Sequence, residues 1–191
     1  GIIPEKQVPI LKITKNLEVF KEIGGLACPG FVLVNEEKLG ESPYGCQRCT
    51  LFHEAVHVKY NDTAAATIAG SFVGLALVMP LMIYLIRTRH PFGYSWWVNG
   101  LVVFSSLLAG EYAVEKVHMY NIENRADTEG HYATDCYVCV EEHAEHRRII
   151  FEEKKNSLKN NGYLWADDLL KIAAELKKQN KLCQYHTRQK D

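Results

Sequence analysis

Residues 51–70 have the sequence LFHEAVHVKYNDTAAATIAG, in which two patterns follow each other directly. In the pentapeptide HEAVH, a helix would place His53 and His57 one turn apart on the same face. Two imidazoles so placed can bind one metal ion, and Glu54 is positioned to act as general base on a metal-bound water. Solvent-exposed histidines on a charged helix are the simpler interpretation. The second pattern is the start of a long run without charge.

The uncharged run is the first of two. No charged residue occurs from residue 63 to 86, or from residue 91 to 110. A helix that spans a membrane needs about 20 apolar residues, so the runs predict a transmembrane helical hairpin over residues 63–110. Two arginines lie between the runs, at the tip of the hairpin, and the positive-inside rule therefore places the tip in the cytoplasm. The segments on either side of the hairpin, which carry the predicted active site, would then lie on the extracytoplasmic side. A buried helical pair in a large core is the competing interpretation.

The third metal ligand must lie downstream, because no histidine or glutamate follows HEAVH closely. The segment ENRAD, residues 123–127, offers Glu123 and Asp127 one helical turn apart. Glu123 would complete a site of two histidines and one glutamate that leaves a fourth position open for water. Asp127 could accept a hydrogen bond from a ligand histidine and fix its tautomer. An ordinary solvated helix face is the alternative.

HExxH followed by this ExxAD segment resembles the gluzincin metallopeptidases. It is closest to the membrane group that contains the HtpX-like heat-shock proteases and the CAAX prenyl proteases. The resemblance covers roughly residues 31–127, and it implies that His53, His57 and Glu123 bind zinc, with Glu54 as catalytic base. It also implies a supporting role for Asp127 and a strand at residues 31–35. No further spanning helices precede the motif, and the cysteine pairs are not part of the family pattern.

Such an enzyme also needs a group that stabilises the oxyanion or protonates the leaving amine. His131 and Tyr132 are the candidates, because they follow Gly130, where the helix is predicted to end. Lone histidines and tyrosines are more often structural.

The cysteines form ordered pairs. They are Cys46 with Cys49, Cys136 with Cys139, and Cys183 followed by His186 as CxxH, while Cys28 stands alone. The last two groups have the spacing of a structural zinc site, and the two CxxC pairs could instead form an all-cysteine site. Six cysteines could also form three disulfides in an oxidising compartment, and we favour this interpretation because it agrees better with an outward-facing site.

These features predict a mainly α protein with a small β element, in which a compact gluzincin-like metalloprotease core carries the inserted hairpin. We expect one metallopeptidase domain, residues 1–191, with the hairpin at 63–110 and a helical segment tethered by cysteines at 131–191. The charges nearly balance, with 22 basic and 23 acidic residues, so nucleic acid is not an expected partner. The predicted function is a membrane-anchored zinc metalloendopeptidase that acts on proteins or peptides. It would hold one catalytic zinc and, under the zinc interpretation of the cysteines, a second, structural one. The alternative is a non-catalytic membrane protein whose Cys/His clusters bind structural zinc or form disulfides.

Overall fold

The computed structural model describes residues 8–13, 24–88, 96–153 and 162–188. The strands are β1 (Ile10–Ile13), β2 (Gly25–Cys28) and β3 (Phe31–Asn35). The helices are α1 (Glu36–Gly40), α2 (Tyr44–Tyr60), α3 (Asp62–Thr88), α4 (Trp96–Ala133), α5 (Tyr137–Glu153), α6 (Ala166–Lys178) and α7 (Gln184–Arg188). The chain divides into two compact units, one of Gly1–Thr63 with Tyr120–Asp191 and the other of Ala64–Met119. The mainly helical character with a small sheet is confirmed.

β3 is the central strand of the sheet, parallel to β1 and antiparallel to β2. Val32 and Val34 are buried, as expected for alternate residues of a half-buried strand, and they form a small core with Leu39 of α1. Leu51 and Val58 of α2 pack against this core. The strand predicted at residues 31–35 is therefore confirmed, and it supports the helix that carries HEAVH.

α2 ends at a left-handed turn. Asn61 has φ 54° and ψ 39°, and its N–H bonds to the carbonyls of His57 and Val58. Asparagine tolerates this conformation better than most residues. The turn separates α2 from α3, which begins at the buried Asp62.

The larger core lies where α5 packs against both α2 and α6. α6 is strongly amphipathic, and its buried face follows the helical spacing. Acidic residues in its first turn and lysines in its last turn suit the helix dipole. The buried apolar residues of this core include Cys49, Val140, Ala144, Leu169, Ile172, Ala173 and Leu176.

Within the second unit, α3 and α4 approach closely at two glycines. A Cβ on Gly110 would lie 2.4 Å from the nitrogen of Gly74, and a Cβ on Gly74 would lie 2.8 Å from Cα of Leu107. Neither contact is possible for a real side chain, so the helices cross there because both residues lack one. Phe72 and Phe104 in this unit are exposed.

The predicted transmembrane hairpin over residues 63–110 is wrong. A spanning helix needs about 20 consecutive, predominantly apolar residues. Among the residues that the structure describes, no helix is both long and apolar enough to cross a membrane. The prediction of an integral membrane protein with two spanning helices is therefore wrong as well, and the placement of the active site on the extracytoplasmic side, which was derived from the hairpin, loses its basis. Residues 89–95, the predicted tip, lie outside the described residues.

Candidate metal centre

Helices α2 and α4 bring together His53, His57 and Glu123, which we call the histidine–glutamate centre. Nε2 of His53 lies 3.1 Å from Nε2 of His57 and 3.1 Å from Oε2 of Glu123. Nε2 of His57 lies 3.7 Å from the same carboxylate oxygen. All three residues are buried. They form a group that can hold a metal ion.

A carboxylate behind each imidazole fixes which ring nitrogen carries the hydrogen. Nδ1 of His53 lies 2.8 Å from Oδ1 of Asp127, and Nδ1 of His57 lies 3.0 Å from Oδ2 of Asp62. Because an ionised carboxylate only accepts, each neutral imidazole donates through Nδ1 and turns the lone pair of Nε2 toward the centre. Oε2 of Glu123 points to the same place, is buried, and has no hydrogen-bond partner. A cation between these three atoms would relieve their mutual repulsion.

The electrostatics of the centre favour a positive charge. Burial opposes protonation of His53, but the carboxylates of Asp127 and Glu123 outweigh it and raise the pKa of His53 to about 10. Burial likewise opposes ionisation of Glu123, yet the two imidazoles lower its pKa to about 2. The 3.1 Å between Nε2 of His53 and Oε2 of Glu123 is an ion-pair distance without the angles of a hydrogen bond. Without a metal, a proton on His53 supplies the positive charge.

Gly130 allows α4 to come close to α2 at this point. A Cβ on Gly130 would lie 2.9 Å from both Cα and N of His53. The prediction that the helix ends at Gly130 is wrong, because α4 continues to Ala133. This glycine permits close helix packing and does not terminate the helix.

Asp127 is held from three sides. Arg147 of α5 forms an ion pair with it, with Nη2 of the arginine 3.2 Å from Oδ1. The backbone N–H of Leu164 donates to Oδ2 over 2.8 Å. Although burial opposes ionisation, the charge of Arg147 and the bond from His53 hold the pKa of Asp127 well below its usual range. Asp127 therefore connects the centre to α5 and to the segment before α6.

Tyr163 borders the centre, whereas Tyr132 does not. The ring of Tyr163 stacks on that of His53 with centroids 5.9 Å apart, and the guanidinium of Arg147 lies 5.5 Å from its ring centroid. Burial and the neighbouring carboxylates raise the pKa of Tyr163 above its usual range, so its phenol stays neutral at physiological pH. The hydroxyl of Tyr132 instead donates to the carboxylate of Glu175.

Glu54 is half-buried next to the centre, and its side chain packs against β2. A Cβ on Gly25 of β2 would lie 3.1 Å from Cγ of Glu54, closer than nearly all real contacts. The negative charge of Glu54 contributes to the raised pKa values of His53 and Tyr163. Glu54 is therefore within electrostatic reach of the centre, and Gly25 leaves room for its side chain.

His131 belongs to a separate buried group with His143 and Cys49. One ring nitrogen of His131, Nδ1, bonds to the carbonyl of Asp127, and the other lies 2.8 Å from Nδ1 of His143. Burial lowers the pKa of His131 to about 4 despite the nearby charge of Asp127. The 2.8 Å separation suits a hydrogen bond between neutral rings. The structure thus places His131 behind Asp127 and not at the histidine–glutamate centre.

Four buried residues form a further group that can hold a metal ion, which we call the cysteine–histidine cluster. Its members are Cys136, Cys139, Cys183 and His186. Nδ1 of the histidine lies 3.5, 3.6 and 3.3 Å from the sulfurs of Cys136, Cys139 and Cys183. The sulfurs of Cys139 and Cys183 are 3.7 Å apart.

The preference for disulfides is not supported, since all six cysteines are free in the structure. The all-cysteine site is not formed either. The thiol of Cys46 bonds to the carbonyl of Glu142, and that of Cys49 bonds to the carbonyl of Cys139. The structure instead brings together the second CxxC pair, Cys136 and Cys139, and the CxxH pair, Cys183 and His186.

The sequence analysis did not identify three of the residues that surround the histidine–glutamate centre. Asp62 could have been found, because it is a carboxylate five residues after His57 at the start of the next helix. Arg147 lies in the charged stretch 141–148, which by composition predicts a solvated face. Tyr163 has no signal in the sequence, because only the fold brings it to His53.

Comparison of the chain with protein-family models, with curated proteins and with solved structures gave no match. The resemblance to gluzincin peptidases therefore stays a prediction.

Proposed function

We propose that the protein is a zinc-dependent peptide hydrolase whose catalytic metal binds at the histidine–glutamate centre. The observation that carries the proposal is the convergence of the Nε2 atoms of two imidazoles on a buried carboxylate oxygen without a hydrogen-bond partner. Zinc bound tetrahedrally at about 2.0–2.1 Å requires ligand atoms about 3.3 Å apart. The three separations of 3.1, 3.1 and 3.7 Å lie around that value.

The ligand types support a catalytic ion. Two neutral histidines and one carboxylate are a ligand set that leaves a fourth position open in zinc hydrolases. When bound there, zinc would lower the pKa of a water to about 7 and polarise a substrate carbonyl. Structural zinc sites, in contrast, are usually closed by four protein ligands.

Two side chains of the protein can then take part in hydrolysis. Glu54 would accept a proton from the attacking water and pass it to the leaving nitrogen. Tyr163, kept neutral by its raised pKa, would donate a hydrogen bond to the developing oxyanion. We propose Tyr163 for the role first expected of His131 or Tyr132, since it stacks on the ring of His53.

The decisive experiment compares Glu54→Gln with wild type on a broad peptide library. We expect peptide cleavage to fall at least about a hundredfold, because general-base catalysis contributes that much, while the zinc content stays the same. Glu145→Gln, at an exposed position of α5, is the matched control and should leave cleavage unchanged. Cleavage that survives Glu54→Gln would refute the proposal, and so would a zinc-loaded wild type that cleaves no peptide.

The alternative function is a non-catalytic protein in which zinc only supports the fold. The cysteine–histidine cluster favours it, because four buried ligands leave no position for a substrate. Under this alternative Glu54 has no special task, and zinc-loaded protein is inactive on every peptide. The same library experiment therefore distinguishes the two functions.

A further inference from the structure

We propose that the cysteine–histidine cluster holds a second, structural zinc ion and that Glu142 connects this ion to the first turn of α2. The ligands come from two parts of the chain. Cys136 and Cys139 lie at the start of α5, whereas Cys183 and His186 lie at α7. The ion would thus attach the short helix α7 to the rest of the first unit.

The spacing of the four ligand atoms fits a tetrahedral zinc ion. With zinc–sulfur bonds of about 2.3 Å and zinc–nitrogen bonds of about 2.0–2.1 Å, two sulfurs should lie about 3.8 Å apart and a sulfur and a nitrogen about 3.6 Å apart. The sulfurs of Cys139 and Cys183 are 3.7 Å apart. Nδ1 of His186 lies 3.3–3.6 Å from all three sulfurs.

Hydrogen bonds alone do not explain this arrangement. Nε2 of His186 lies 3.1 Å from Oε1 of Glu142, and a neutral imidazole that donates there has one lone pair, on Nδ1. Three buried sulfurs surround that lone pair, and it can accept only one thiol hydrogen. A disulfide would require two sulfurs about 2.05 Å apart, which is far shorter than the 3.7 Å between Cys139 and Cys183. Three thiolates and an imidazole around a divalent cation satisfy all four atoms.

Glu142 extends the site toward α2. One carboxylate oxygen faces Nε2 of His186, and the other accepts a 2.7 Å hydrogen bond from the N–H of Gly45. This N–H is one of the first-turn donors that a helix leaves without a partner, and a carboxylate there also suits the helix dipole. Gly45 must be a glycine, since a Cβ would lie 2.7 Å from Cα of Cys139. The ion, Glu142 and the helix that carries HEAVH are therefore directly connected.

The first test counts metal ions in the full chain. We expect two zinc ions per chain in wild type and one in His53→Ala/His57→Ala. Cobalt substituted into that histidine variant should show the strong near-ultraviolet absorption of cobalt–thiolate bonds. Absence of this absorption, or a histidine variant without zinc, would overturn the proposal. The histidine variant leaves the cysteines intact, so a folding failure of cysteine variants does not affect the result.

The same experiment separates this inference from the proposed function. If the histidine variant keeps the full zinc content of wild type together with the thiolate absorption, the second site is supported and the catalytic site is refuted. Cys183→Ser/His186→Ala should lose the absorption and one zinc ion. Cys28→Ser, at a half-buried cysteine outside the cluster, is the control and should keep both.

The role of Glu142 is tested by hydrogen exchange at the amide of Gly45. Glu142→Gln should keep both zinc ions but speed exchange at Gly45 at least about tenfold, because the charge-assisted bond to its N–H is weakened. Glu141→Gln is the matched control, since the neighbouring glutamate pairs with Lys177 instead. Equal exchange in the two variants would refute the connection to α2.

Discussion

Replacement of Asp62 by asparagine should weaken zinc binding at the histidine–glutamate centre, although Asp62 does not touch the metal position. One carboxylate oxygen of Asp62 accepts from Nδ1 of His57, and the other accepts from Arg125. In asparagine one of these oxygens becomes an NH₂ group. Arg125 can only donate, so the amide oxygen turns to Arg125 and the NH₂ faces His57. His57 must then accept at Nδ1, which moves its hydrogen to Nε2, where the zinc would bind.

The size of the effect follows from the bond that must be given up. To restore the binding tautomer, the amide has to turn and lose its charge-assisted bond to Arg125, which is worth about 1.5–3 kcal/mol. This corresponds to a loss of about 10- to 150-fold in zinc affinity. In Asp62→Asn/Arg125→Met the amide can turn without that loss. The double variant should therefore bind zinc more tightly than the single variant.

Competition with a chromophoric zinc chelator at fixed pH and ionic strength measures the affinities. Asp167→Asn is the control, since its side chain is 87% exposed, and it should bind zinc as wild type does. The reasoning would be refuted if Asp62→Asn kept wild-type affinity, or if the double variant bound zinc more weakly than the single one.

Three further outcomes are expected. Gly25→Ala should lower the turnover number at least about tenfold with zinc retained, because the new methyl group displaces Glu54, the proposed catalytic base. Gly40→Ala is the control and should have no effect, since no atom lies within 4 Å of its new Cβ. Arg147→Met should lower the free energy of unfolding in urea by about 3–5 kcal/mol, because it removes the guanidinium that pairs with the buried carboxylate of Asp127. Arg148→Met, at an exposed site, should change this free energy by less than about 1 kcal/mol. Since the pKa of His53 is about 10 without metal and zinc needs the neutral ring, zinc binding at pH 7 should release about one proton and weaken as pH falls. Calorimetry in buffers of different ionisation enthalpy measures this release, and a result of zero would contradict it.

Two pairs of residues at the histidine–glutamate centre could be predicted from the sequence, because each pair is a local feature. His53 and His57, like Glu123 and Asp127, lie four residues apart, and helical geometry alone puts such residues on one face. The strand at residues 31–35 was also predictable, because its apolar residues form a short run beside turn residues. That two distant helices bring these pairs together depends on tertiary packing, which no local pattern in the sequence specifies.

The failures have different physical causes. Absence of charge over residues 63–86 and 91–110 predicted a membrane hairpin, but no helix among the described residues meets the joint requirement of length and apolarity. Gly130 suits both a helix end and a close helix contact, and its position in the sequence does not distinguish them. Arg147 looked like part of a solvated face, because its ion pair with Asp127 is formed only once α5 packs on α4.

The hydrogen bond from Leu164 to Asp127 has a consequence for the biosynthesis of the protein. His53, His57 and Glu123 precede Arg147 and Leu164 in the chain, so they leave the ribosome first. Until those residues emerge, Asp127 lacks the partners that hold it against His53. The order of synthesis therefore delays completion of the histidine–glutamate centre until the chain has been made as far as Leu164.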